Sequence, residues 1–279
     1  MPSPLTVSTV DAVWAAFHDP FLEPPPPPSS IGCGATAALR AAMARFSSGD
    51  PHAQRRVEVD RVLGGLDAVV VRSTAAEITT RLIGSHPWVD AVADLAFRVP
   101  TETMSVVLAV PGDHAKLVDG IRAIAAVIGR GSAATESADK ATEREIDACA
   151  STGGNAVAMV SLLYQTHDAT AALLVETILA RHRDTARASA VNQTSRVAVT
   201  DTVIGDVPVS AGSTVVLDLA AAGMEFGAGP HQCPGRLVAE AIVDGIIVAV
   251  DAAGFLVRDV SSSVDDNGRP TSIMMGPRS

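Results

Sequence analysis

The chain has 279 residues, 47% of them hydrophobic and only 3% aromatic, and 31 acidic against 21 basic residues leave a net charge of −10. That balance argues against general binding to nucleic acid or to an anionic membrane surface, and the length provides for one sizeable core or two small ones. No basic, apolar leader and no run of about 18 apolar residues is present, so the expectation is a cytoplasmic protein that makes no use of a membrane. Cys33, Cys149 and Cys233 are odd in number and widely spaced, which argues against a disulfide framework and for a reducing compartment.

In chain order, residues 10–17 read as a short amphipathic helix ended by Asp19-Pro20, and residues 24–28 are a run of prolines that forms a stiff spacer. Residues 34–63 read as two helical pieces joined at residues 47–51. On the second, His52 and Arg56 are four apart and share one face. Residues 75–111 follow a helical rhythm, as do residues 116–128. The polar stretch 129–145 reads as a mobile lid or a solvated loop. Residues 152–183, free of proline, are the longest helical candidate. Strands follow over 197–221, with a hairpin at Gly205-Asp206. Residues 235–253 form an apolar helix, and residues 273–275 a final short strand.

Between the strands and that last helix lies Phe-Gly-Ala-Gly-Pro-His-Gln-Cys-Pro-Gly, residues 226–235. Gly227 and Gly229 let the backbone turn where a Cβ would clash. Pro234 suits a first helical position, which places Cys233 beside free N–H groups and the positive end of a helix dipole. Those groups favour a thiolate, and a lone thiolate on a glycine loop, with no Cys-x-x-Cys pair nearby, suggests a soft axial ligand for heme iron.

This decapeptide resembles the heme-binding loop of the cytochrome P450 family, Phe-x-x-Gly-x-x-x-Cys-x-Gly, with Phe226, Gly229, Cys233 and Gly235 at all four fixed positions. The resemblance extends in order over roughly residues 10–275. It implies a mainly α fold with small β-sheets, a reduced P450-type architecture in one domain of 279 residues with a proline-rich segment at 1–30. It implies heme b as cofactor, with Cys233 as the iron ligand and Phe226 shielding the sulfur. His52 and Arg56 resemble the family's His-x-x-x-Arg, and Thr194-Ser195-Arg196 resembles the strand whose arginine reaches a heme propionate. With His231, these residues would clamp the two carboxylates.

Within residues 152–183, Asp168, Ala169 and Thr170 align with the acid–alcohol pair that delivers protons to iron-bound oxygen. The family's usual threonine is replaced by Ala169. Thr166, one turn back, the Gln165 amide or an ordered water is the substitute. The Glu-x-x-Arg signature is not found, since Leu179 follows Glu176 by three and Arg181 is out of step. The arginine that pairs with that carboxylate is missing as well, so no buried charge is stranded.

The resemblance thus implies a monooxygenase, of the kind found in secondary metabolism, acting on a small organic substrate with electrons from a ferredoxin and ferredoxin reductase. Arg236 is a candidate electron-partner contact. Two alternatives stand beside it. One is a heme-thiolate enzyme of peroxygenase, isomerase or dehydratase type, which needs no proton-delivering threonine. The other is an accessory protein of the same fold that activates a partner enzyme. Trp14, Trp88 and Tyr164 are too few for an aromatic cage.

Overall fold

Helix α8, Ala156–Arg183, runs through the centre of the molecule. No glycine or proline interrupts it. Asn155 caps its start, its side chain accepting from Ala158 N, and Asp184 ends it in the left-handed region at φ 52°. Its buried side chains include Val160, Leu163 and Leu174, each with no exposed surface. Burial of one such leucine contributes about 2 kcal/mol. The structure is a computed structural model and describes residues 4–84, 86–129 and 132–278.

Helices α2 (Ala35–Ala42), α3 (Gly49–Gly64), α5 (Val99–Val107), α6 (His114–Ile128), α7 (Glu136–Ala150) and α10 (Arg236–Ala252) all pack on α8. Helix α4 (Ala68–Ile83) lies against α10. Gly245 makes that contact, because a Cβ there would stand 2.3 Å from Arg72 O and 2.9 Å from Ala75 Cβ. With few aromatic rings to fill space, the helices close on alanine and valine.

Four strands, β1 (Leu5–Val7), β2 (Leu22–Glu23), β4 (Gln193–Ala198) and β7 (Thr214–Asp218), form a sheet in the order β1-β7-β4-β2, with β1 parallel to β7 and the other pairs antiparallel. A second sheet joins β3 (Val89–Asp90), β9 (Ile273–Pro277) and β8 (Phe255–Val260), and β5 (Thr202–Ile204) pairs with β6 (Val207–Val209) as a hairpin. The architecture is mainly helical with small sheets, in line with the expectation.

Two apolar cores result. The larger holds the helices and the second sheet. The smaller packs α1 (Val10–His18) through Val13 and Phe17 onto Val215 and Leu217 of the first sheet. The cysteine-bearing loop touches both, since Ala228 is buried in the smaller core and Phe226 packs against the larger.

Three local expectations change. Most of the polar stretch 129–145 is helix α7. Its inward residues Ala138, Ala141, Thr142, Glu145 and Cys149 keep helical spacing, but they are small or polar and carry little hydrophobic signal. Val89–Asp90 is a strand, paired with Met274 and Met275, and the six residues after it form a π-helical turn. Pro234 lies before the helix rather than in its first turn, because α10 starts at Arg236 with Gly235 as its cap. Among the described residues, no helix is long and apolar enough to cross a membrane.

Candidate functional site

The loop 226–235 is held by its own backbone. Cys233 N donates to Phe226 O at 2.8 Å, Gly227 N to Met224 O at 2.7 Å and Gln232 N to Gly229 O at 3.1 Å. Gly227 and Gly229 take φ values of 68° and 60°, where other residues are strained. At Gly229 a Cβ would also meet the His18 imidazole at 3.0 Å and Phe17 O at 3.2 Å. The loop is therefore pressed onto α1. Gly235 has an ordinary φ, and nothing lies within 4 Å of where its Cβ would be.

Cys233 is exposed, yet enough protein surrounds it that burial pushes its thiol up. The Gly235 N–H bonded to the sulfur and the charges of Arg45 and Arg56 pull the other way. Phe226, half-buried, lies under the Arg236 guanidinium at 4.9 Å. Cys149 is fully buried, and burial, then Glu145, pushes its thiol up to about 12, so it behaves as a small core residue.

Four of the residues singled out in the sequence converge beside this loop. Arg56 Nη1 donates to Gln232 O at 2.8 Å and to Pro230 O at 3.3 Å, tying α3 to the loop. The rings of His52 and His231 lie 4.1 Å apart. Burial, then the charges of Arg196, His52, Arg56 and Arg45, pushes the His231 imidazole down to about 3. Burial likewise lowers His52, with Arg56 and Arg196 adding to the effect. Arg196 is only 6% exposed and bonds Ser195 O at 2.9 Å and Thr194 Oγ1 at 3.4 Å.

The charge balance of this cluster is one-sided. Burial, then Arg45, lowers Arg196 to about 10, and no carboxylate forms an ion pair with it among the described residues. Among the described residues the carboxylate paired within the cluster is Asp60, 2.8 Å from Arg56 Nε. A buried guanidinium without a counter-charge is costly. Three arginines and two histidines around a soft sulfur fit a dianion carried by a metal-bound ring, which is the chemistry of heme with two propionates. The residues present fit that group.

Arg45, on the short turn Ala44–Phe46, was not anticipated from the sequence. It is exposed, and its charge acts on Cys233, His231 and Arg196 on one side and on Tyr164 of α8 on the other. Arg45 thus lies within electrostatic reach of both the cysteine loop and α8. No periodicity or motif marks this residue in the sequence.

On α8 the three expected residues diverge. Asp168 is exposed and lies toward Gly129, the end of α6, beside the Tyr164 hydroxyl. Thr166 is half-buried, while Thr170 is only 2% exposed. Gln165 donates from Nε2 to Ser161 O at 3.1 Å and to Ser161 Oγ at 3.0 Å. His167 turns the opposite way, its Nδ1 3.1 Å from Thr101 Oγ1 and its ring 5.5 Å from Phe97.

The missing Glu-x-x-Arg has a replacement in space. Glu176 on α8 accepts from Arg269 Nε at 3.0 Å, and both are nearly buried. Arg269 Nη2 also donates to Ala190 O at 2.6 Å. The N–H of the same residue, Ala190, donates at 2.8 Å to Glu225, which in turn accepts from Arg187 at 2.9 Å. Glu225 directly precedes Phe226, so two ion pairs joined through Ala190 tie α8 and the C-terminal hairpin to the start of the cysteine loop. Arg181, out of step in sequence, pairs instead with Asp251 at the surface.

No protein-family model and no curated protein matches the sequence. Solved structures do. CalO2 aligns with a TM-score of 0.77 at 15% identity, covering 98% of this chain and 90% of that one. CYP109E1 from Bacillus megaterium, in complex with corticosterone, aligns at 0.74 and 14% identity, covering 97% and 91%. P450BioI, in complex with an acyl carrier protein ligated to hexadec-9Z-enoic acid, aligns at 0.73 and 14% identity, covering 97% and 91%. The chain has the cytochrome P450 fold.

Proposed function

We propose that this protein is a heme-thiolate monooxygenase that oxidises a small organic substrate with electrons from a ferredoxin and its reductase. The observation that carries the reading is the carboxylate-poor cluster of Arg45, Arg56, Arg196, His52 and His231 around the accessible sulfur of Cys233, set in a P450 fold. When bound, a thiolate-ligated heme supplies the insertion of one oxygen atom into an organic molecule.

The chain's own residues divide the remaining work. Cys233 donates the sulfur, and the Gly235 N–H holds its negative charge. Phe226 keeps water from the sulfur face. Arg56 and Arg196 offer guanidinium donors to the propionates, and a neutral His231 offers a ring N–H or an acceptor. Arg236, stacked on Phe226 and paired with Glu240 at 2.8 Å, is the surface cation on the cysteine side where an acidic ferredoxin would dock by exchanging that partner. Asp168, exposed beside Gly129, and half-buried Thr166, on the other face of α8, are the groups that would hold and pass protons.

A second reading is favoured by one feature of α8. Ala169 has no hydroxyl, and the hydroxyl of Thr170 is shut into the packed helix face. An enzyme that uses peroxide, or that rearranges or dehydrates its substrate, needs neither. Purified protein is reconstituted with hemin, reduced under carbon monoxide and scored for a thiolate-type Soret band. Absence of heme binding overturns both readings and leaves the accessory role. With the band present, turnover with ferredoxin and its reductase, against turnover with peroxide alone, separates the two.

A further inference from the structure

A groove of about 520 Å³ lies between α6 and α7, and none of its lining residues belongs to the cysteine loop, α3 or α8. That volume suits a small organic molecule. Gly120, Ala123 and Ala141 give it small, apolar walls. Among the described residues, three carboxylates, Asp113, Asp119 and Glu145, line it against two cations, Lys116 and Arg144. The lining therefore favours a positively charged guest.

Glu145 is the deep member of this set, only 2% exposed. Its partner is its own neighbour in sequence, although adjacent residues of a helix do not face each other. Arg144 reaches it by bending back over Gly120, with Nε 3.0 Å and Nη2 2.8 Å from the same oxygen, Oε1. A Cβ at Gly120 would stand 2.5 Å from that Nη2 and 2.6 Å from that Oε1, so only glycine leaves room for the pair. Oε2 accepts no hydrogen bond among the described residues. The Arg144 side chain is 54% exposed, so it covers the carboxylate without sealing it in. Burial pushes the Glu145 carboxyl up against the pull of Arg144, so this single partner does not replace the water the group has lost.

We infer that the groove between α6 and α7 is a binding site for a small organic guanidinium cation with an apolar chain, anchored on the Glu145 carboxylate. The planar fork of the guest takes both carboxylate oxygens, where Arg144 bonds only one. Arg144 swings into solvent, and the chain of the guest lies along Gly120, Ala123 and Ala141. The inference does not depend on heme at Cys233.

The test is calorimetric titration of the purified protein with hexylguanidinium and benzylguanidinium, each beside the neutral urea of the same skeleton. A guanidinium has no lone pair to offer iron, so the cysteine site does not compete for it. At least one guanidinium is expected to bind about tenfold more tightly than its urea, the scale of a charge-assisted pair. Glu145→Gln keeps the shape, removes the charge and is expected to abolish that difference. Arg144→Ala removes the resident competitor and is expected to tighten guanidinium binding about tenfold, with the urea unchanged. Arg144→Gln makes the same comparison if Arg144→Ala does not fold. A carboxylate with a merely structural role would give no such gain.

Equal binding of each guanidinium and its urea, a preference that survives Glu145→Gln in folded protein, or no gain on replacing Arg144 overturns the inference. The same preparations are scored for the thiolate Soret band under carbon monoxide. A band without guanidinium preference sinks the groove site alone. Guanidinium preference without a band supports the groove site and sinks the heme reading.

Discussion

The cysteine loop and helix α8, the two walls of the proposed heme site, are built on different principles. The cysteine wall is electrostatically incomplete, with Arg45, Arg56 and Arg196 crowding two histidines and, among the described residues, Asp60 alone paired to offset them. The α8 wall makes its own contacts without any ligand, with Gln165 bonded to Ser161 and Thr170 packed away. A wall that lacks its counter-charge is shaped for one kind of guest. A wall that is self-satisfied tolerates change, and it is there that Ala169 replaces the expected threonine.

The sharpest way to break this comparison is at the sulfur. Cys233→Ser removes the soft donor and leaves the cation cluster untouched, so complete loss of the thiolate Soret band is expected while hemin still associates through its carboxylates. Retention of a thiolate-type band would identify another cysteine as the ligand; Cys33 is exposed and Cys149 is buried.

Next in size is the link between the walls. Arg269→Met strands the Glu176 carboxylate and frees the Ala190 carbonyl, both nearly buried. Breaking one partner of such a pair costs about 3 kcal/mol. Urea denaturation measures it. A loss near zero would show that the pair does not hold the cysteine loop, and the double replacement of Glu176 and Arg269 by apolar residues is expected to recover much of the loss.

That link was invisible in the sequence. Glu176 and Arg269 are 93 residues apart, and their ion pair obeys no local spacing. The same holds for Arg45, which acquires meaning only because folding brings its charge within reach of Cys233 and Tyr164. What could be read was local. Gly229 needs its positive φ, His52 and Arg56 share a helix face, and α8 contains no breaker. Helix α7 was hidden because alanine, threonine, glutamate and cysteine occupy its inward positions. The cysteine wall announced itself through a fixed pattern of residue types, whereas the self-satisfied α8 wall is defined by contacts that only folding creates.

A third change has opposite signs in the two states of the protein. In heme-free protein the buried Arg196 is a desolvated charge with no counter-ion, so Arg196→Met is expected to raise stability by about 1 kcal/mol. In heme-loaded protein the same change removes a donor to a propionate and is expected to speed heme loss to apomyoglobin about tenfold. Melting of the apo form and transfer kinetics of the loaded form read the two signs separately. A destabilised apo variant would mean that Arg196 is satisfied by its own strand.

The last effect is a slope with pH. His231 stands near 3 in the folded chain against 6.5 for a free histidine, so between those values the unfolded chain binds a proton that the folded chain does not. Stability is therefore flat above pH 6.5 and falls as the pH drops toward 3. Between pH 6.5 and 5 this single group accounts for about 1.5 kcal/mol, and the lowered His52 acts in the same direction. His231→Gln is expected to flatten the heme-free curve over that range in melting experiments. Anions placed among the arginines favour a protonated imidazole, so heme-loaded protein is expected to lose less on acidification than the apo form. If both forms lose stability equally, the histidine pair does not face the propionates, and the cation cluster must be matched by a different guest.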